Sequence, residues 1–222
     1  RMFLGQIPSW DDPAIARDNP EVALPRRSVT PVGRADGGGS TAIFSRGLAA
    51  ASRAWADSVG VGLSVTEPRA VNARGSNGVA DLLARLPGAV GYVEVARAVH
   101  ASLQVALVDD EQGTFSLPTQ RAVRRAGEDL VGAGDLLALP RVGFPFASPT
   151  FLVVPEQTRD VARGSAVARL LYWLLDAGQA TLRGAPQDPA ARLGARAGSR
   201  FAPAPSVGAN RPPLDRLNAD HG

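Results

Sequence analysis

The stretch GRADGGGST, Gly33 to Thr41, sets an arginine and an aspartate beside three consecutive glycines and two hydroxyl residues. The segment before it, RSVTPVG (27–33), reads as a strand. Residues 42–57 after it read as a helix, with Ile43, Leu48 and Trp55 among its apolar contacts. A strand, a glycine-rich turn and a helix make an anion site, because the first N–H groups of a helix lack intrahelical acceptors and sit at its positive dipole end. Glycines let the backbone approach a ligand closely and adopt positive φ. Ser40 and Thr41 can cap the helix or donate to an oxyanion. Arg34 offers the planar fork that phosphate or carboxylate favours. Asp36 is the discordant member, since a carboxylate repels an anion. Two roles make sense of it: pinning the Arg34 guanidinium, or accepting a proton from a protonated oxyanion. The bland alternative is a flexible turn that caps a helix.

A nucleotide P-loop, G-x-x-x-x-G-K-[ST], does not fit. Gly33, Gly38 and Ser40 fall in register, but Gly39 stands at the lysine position and the chain contains no lysine. All the basic residues are arginine, which sets the pI near 10.4 although the net charge is only +3. Basic and acidic residues are interspersed, so the charge pattern does not read as a nucleic-acid surface. The densest cluster, RAVRRAGED (121–129), reads as a solvated helix face. With no cysteine, disulfides and thiolate metal sites are excluded. The only histidines, His100 and His221, are too far apart to suggest a zinc site. The chain opens RMFLGQI rather than on methionine, which reads as a piece cut from something longer. No export signal and no apolar run of membrane-spanning length is visible, so direct membrane insertion is not expected.

The 24 Gly and 18 Pro divide the 222 residues into short elements. WDDPAIARDNP (10–20) reads as a helix opened by Asp11 or Asp12 and stopped before Pro20. SNGVADLLARLPG (76–88) reads as a helix capped by Ser76 or Asn77 and stopped at Pro87-Gly88. AVGYVEV (89–95) and LQVALVD (103–109) read as strands around a helical ARAVHA, and PTQRAVRRAGEDL (118–130) as a further helix. TFLVVP (150–155) reads as a buried strand. Residues 160–177 carry the longest helical pattern, with Val161, Leu170, Leu171, Trp173, Leu174 and Leu175 on a wide apolar face. PLDRLNA, near the end, reads as a last helix. Trp10, Trp55, Trp173 and Tyr92 read as core, and Glu94 as a strand-end ion-pair partner. Strands alternating with helices predict an α/β fold.

Four stretches in order, FLGQIPSWDDPAIARDNP (3–20), GRADGGGST (33–41), ARGSNGVADLLARLPGAVGYVEVA (73–96) and FAPAPSVGANRPPLDRL (201–217), carry a more specific signal. Together they resemble the PstS-type phosphate-binding proteins of phosphate ABC transporters, which show FLGKIxxWNDPAIAxLNP, RSDGSGT, KGNxGVA, PGAIGYVEYAYA and YAPLP. FPFASPTFLVV (144–154) and LLYWLLDAGQ (170–179) look like that family's return segment. The resemblance implies a type II periplasmic-binding-protein fold, two α/β lobes hinged around a buried phosphate. Residues 1–143 would be one nearly complete lobe and residues 144–222 the segment returning to the other, whose earlier part is absent here.

By the same resemblance, Arg34 is the phosphate clamp, Asp36 the acid that orients it, Gly39 an amide donor, and Ser40 a donor of both amide and hydroxyl. Gly38 replaces the family's serine, which removes a hydroxyl and leaves its amide. The implied partners are inorganic phosphate and the ABC permease subunits of the membrane, with no cofactor, no nucleic acid and no catalysis. The implied location is the periplasm or the cell surface. The alternative is a truncated, non-binding relative kept for protein–protein contacts. An α/β enzyme acting on a phosphorylated substrate is disfavoured, because Ser40 has no evident histidine partner.

Overall fold

Valine, threonine and the small apolar residues of TPVGR suit a buried strand, and in the computed structural model, which describes residues 1–109, 113 and 115–179, they form one. This strand, β1 (Thr30–Arg34), is central in a parallel sheet of order β2-β1-β3, with β2 at Val71–Ala73 and β3 at Ala89–Gly91. Pro31 is tolerated in a central strand for a geometric reason. Thr30 N–H donates toward β3 (to Gly88 O, 3.0 Å) and Ala35 N–H toward β2 (to Ala73 O, 2.9 Å). Pro31 therefore faces the β2 side, where pairing begins only at Val32 opposite Val71.

Ahead of the sheet lies α1 (Pro13–Asp18), where Asp12 caps by accepting from Ala14 N–H at 2.8 Å and Pro13 supplies the first turn. The residues flanking α1 are stitched to the sheet. Val29 N–H donates to Pro8 O, and the Trp10 indole N–H donates to Gly88 O, both at 2.9 Å. Two helices follow β1, α2 (Gly39–Ala51) and α3 (Arg53–Ser58), where the sequence predicts one. The break falls at Ser52, which takes an extended conformation and accepts from Trp55 N–H at 3.3 Å. Serine favours this capping role over a helix interior. The turn buries Trp55 and lets its indole N–H donate to Gly60 O at 2.9 Å.

The rest of the order is α4 (Gly75–Arg85) between β2 and β3, α5 (Val95–His100), a two-stranded antiparallel ribbon of β4 (Val108–Asp109) and β5 (Phe115–Ser116), α6 (Gln120–Ala133) and α7 (Val161–Leu175). Val32 and Val79 are fully buried, and α4 packs on all three strands of the parallel sheet. Phe44 of α2 stacks on Tyr92 at 4.2 Å and meets Phe3 edge-on at 4.8 Å, with Phe146 5.6 Å away. Thr119 caps α6, whose Ala122, Ala126 and Leu130 are buried while Arg124 and Glu128 pair at the surface.

Several expectations are corrected. Of residues 103–109, only Val108 and Asp109 are in a strand, because only they meet a ladder partner among the described residues. The helix expected to be capped by Ser76 or Asn77 begins at Gly75, and its own N-cap residue, Arg74, makes no side-chain cap. Residues 150–155 form no strand, and Phe151, Leu152 and Val153 are exposed.

The described residues fall into two compact units, 1–148 and 149–179. The second carries α7, capped by Asp160, which accepts from Arg163 N–H at 2.9 Å. The apolar residues expected on α7 are there, but none is buried; Trp173, read as core, is 49% exposed. No helix among the described residues is long and apolar enough to cross a membrane. The expected last helix, PLDRLNA, and the FAPAPSVGANRPPLDRL motif lie outside the described residues.

Gly88 joins α4 to β3 with φ +81, and a Cβ there would stand 2.3 Å from Ser28 O. Gly88→Ala should therefore lower unfolding free energy by about 2–4 kcal/mol, measured by urea denaturation.

Candidate anion-binding site

The site is built where β1 ends. Arg34 is the last residue of the strand and Gly39 the first of α2, so Ala35–Gly38 make the turn between them. Arg34 turns back over this turn. Its Nε donates to Asp36 Oδ1 at 3.2 Å, its Nη2 to Asp36 Oδ2 at 2.8 Å, and its Nη1 to Ser40 Oγ at 3.0 Å. The pairing is bidentate, the strong form for guanidinium and carboxylate. The Arg34 side chain is only 12% exposed, against 34% for Asp36.

Asp36 has a second tie. Oδ1 accepts from Gly75 N–H at 2.8 Å, the first amide of α4, where φ of +65 favours glycine. The Arg34 hydrogen bonds first, then the Gly75 amide, hold the Asp36 carboxyl well below the usual carboxylate range. The same hydrogen bonds raise the Arg34 pKa, so the pair stays charged. Of the two roles left open for Asp36, the geometry fits pinning the guanidinium. Three of the five guanidinium N–H groups are thus engaged, and two have no partner among the described residues.

The first turn of α2 supplies further donors. No side chain caps it, and the amides of Gly39, Ser40 and Thr41 have no intrahelical acceptor. The Gly38 amide, which the sequence reading left free for an anion, instead donates to Leu63 O at 2.8 Å. Gly38 matters here for its missing side chain: a Cβ would lie 2.3 Å from Arg34 Nη1, so glycine makes room for the guanidinium. The structure thus brings Arg34, Asp36, Gly38, Gly39 and Ser40 into one turn, with three of them linked by hydrogen bonds.

Three neighbours escaped the sequence reading as parts of this turn's surroundings. Gly75 contributes through its backbone, which leaves no side-chain signature. Tyr92, expected as core, is partly buried and hydrogen-bonds Thr41 Oγ1 at 3.0 Å and Glu67 Oε1 at 3.0 Å. Glu67 is buried in the loop before β2, and nothing in an isolated Thr-Glu-Pro marks an acid for burial. Glu94, expected in an ion pair, accepts instead from Ser76 Oγ at 2.9 Å.

A cluster of helix N-termini at the carboxyl ends of parallel strands is where open α/β folds bind ligands. A family model described as a PBP superfamily domain matches residues 1–177, and the chain belongs to that superfamily. The α/β fold is that of the periplasmic binding proteins. Among curated proteins, the chain is 32% identical over 185 residues to the phosphate-binding protein PstS of Xylella fastidiosa, covering 80% of this chain and 51% of that one. It is 32% identical over 204 residues to PstS of Methanocaldococcus jannaschii (80% and 52%), and 30% identical over 185 to PstS of Pasteurella multocida (80% and 54%). The resemblance read from the ordered motifs is borne out. The chain spans about half the length of these relatives.

Asp36→Asn removes the charge that anchors Arg34 and Gly75. Because the folded carboxyl titrates below its unfolded value of 3.8, the stability it contributes is complete above that pH and lost as pH falls through the folded pKa. The variant should melt below the parent at neutral pH, and the gap between their melting temperatures should close as pH drops below 3.8.

Proposed function

We propose that this chain binds inorganic phosphate at the β1–α2 turn and acts as the substrate-binding component of a phosphate ABC transporter. The observation that carries the reading is a largely covered arginine, its side chain 12% exposed, fixed by an aspartate at an uncapped helix N-terminus. Arg34 supplies charge and two N–H groups unpaired among the described residues, and the Gly39 and Ser40 amides supply donors backed by the helix dipole. Ser40 Oγ, already accepting from Arg34, can turn its own proton to an anion oxygen. Asp36 keeps the guanidinium in place in advance, so less side-chain entropy is lost when the ligand arrives.

Phosphate is the favoured anion because three relatives at about this level of identity are named for it. The reading makes the protein a binding protein and not an enzyme. Residues 1–143 would form one lobe of a two-lobed binding protein and residues 144–222 the segment returning to the other. Its partners would be phosphate and the permease subunits of the transporter, and its location the periplasm or the exported face of the membrane.

Isothermal titration with inorganic phosphate, with sulfate as control, tests the site. Phosphate should bind with sulfate silent, and Arg34→Ala should weaken phosphate roughly 100-fold or more, the scale for truncating one partner of a desolvated charge pair. Unchanged affinity in Arg34→Ala would remove the turn from the binding site.

A further inference from the structure

Behind the turn lies a buried acid that the anion site does not itself use. Glu67 is 3% exposed. Its Oε1 accepts from the Tyr92 hydroxyl at 3.0 Å, and that hydroxyl lies 3.0 Å from Thr41 Oγ1. Thr41, 1% exposed, is the third residue of α2 and so belongs to the turn whose amides lack intrahelical acceptors. Oε2 of Glu67 has no hydrogen-bond partner among the described residues. It lies against Gly33, the residue before Arg34: a Cβ on Gly33 would stand 2.1 Å from it and 2.7 Å from the Asn72 side-chain amide of β2. One carboxyl thus meets β1, the residue following β3 and, through Tyr92, the first turn of α2.

We propose that Glu67 is a positioning residue for the anion-binding turn, its buried carboxyl holding Tyr92 and Thr41 beneath Arg34; this rests on the phosphate reading of that turn. Burial favours the neutral form of this carboxyl. No cation pairs with it among the described residues: Arg34 is turned to Asp36 and Ser40, and the Arg69 side chain lies against Gly5. Tyr92, from beyond β3, is the titratable group that faces it; Thr41 of α2, Gly33 of β1 and Asn72 of β2 carry no charge. Burial pushes the Glu67 carboxyl up from its usual range and, acting first, pushes the Tyr92 phenol up to about 12. The folded protein therefore keeps a proton that the unfolded chain releases. Order that depends on it is present in acid and is lost as pH rises through the folded pKa. Ionised, Glu67 becomes an unpaired carboxylate beside the strand that carries Arg34, which strains the base of the turn.

The test compares the parent chain with Glu67→Gln and Tyr92→Phe in phosphate titrations between about pH 5 and pH 8. Glutamine keeps the shape and cannot ionise. The Glu67→Gln variant should bind within about 3-fold of the parent at the acid end, and the parent should weaken relative to it as pH rises. Phosphate's own ionisation is common to both chains and cancels in the ratio of their dissociation constants. Tyr92→Phe, which severs the link to Thr41, should weaken binding by roughly 5- to 20-fold without contact with the anion. A pH-independent ratio, or parental affinity in Tyr92→Phe, overturns the proposal. If no variant and not the parent binds phosphate, the phosphate reading fails, and hydrogen exchange of the Gly38 and Ala42 amides, which donate to Leu63 O and Gly38 O, decides the role of Glu67 without ligand. Protection that falls with pH in the parent relative to Glu67→Gln supports positioning, and identical protection in the two overturns it.

Discussion

Asp36 has two oxygens, and the sheet delivers a partner to each from a different part of the chain. Oδ2 meets the guanidinium of Arg34, two residues back, while Oδ1 also takes the amide of Gly75, thirty-nine residues on. The second contact depends on register. Parallel pairing sets Arg34 opposite Ala73, and Ala35 N–H then donates to Ala73 O, which brings the start of α4 alongside the turn after β1. A slip of the pairing would separate Gly75 from Asp36 and leave the carboxylate with one anchor. The geometry of Arg34 is therefore a property of the sheet as much as of the turn.

Helix capping divides along the same line. The helices α1, α3, α6 and α7 each start with a side chain that accepts from their own first turn: Asp12, Ser52, Thr119 and Asp160. The three that leave the parallel strands, α2, α4 and α5, have no such cap. Capping contributes about 1 kcal/mol to a helix, so its absence at these starts costs stability in the empty protein. The first amide of α4 is recovered by Asp36; those of Gly39, Ser40 and Thr41 in α2 have no acceptor among the described residues. Uncapped helix starts at the carboxyl ends of parallel strands suit the binding of an anion.

What could be read in advance was what local chemistry decides. Asp12 with Pro13 marks a helix start, Gly88 marks an end, and the turn between β1 and α2 announces itself by composition. Arg34 and Asp36 are two residues apart, so their pairing needs no distant part of the fold. The failures share one cause, dependence on partners remote in sequence. LQVALVD and TFLVVP have the residues of strands, but a strand exists only where another lies beside it. Ser76 has the chemistry of a cap, yet its hydroxyl goes to Glu94 and the helix starts one residue earlier. The burial of Glu67 follows from Gly33 having no side chain, a relation spanning thirty-four residues that no periodic pattern records.

Gly38 shows how a change of side chain can alter a site through space rather than through hydrogen bonding. Counted as donors, a glycine in place of serine is a loss of one hydroxyl, and the engaged amide offers nothing in return. Counted as volume, it is a gain, because the Arg34 guanidinium occupies the place a Cβ would need and from there reaches Ser40 Oγ. With any side chain at this position the guanidinium would have to swing away from that place, and the hydrogen bond to Ser40 would have to be remade or lost. In this chain the glycine trades a hydroxyl for the room in which the guanidinium, with its charge and several donors, meets Ser40. The glycine and the arginine are best understood as one feature, and Asp36 is what keeps the arginine in the space the glycine leaves.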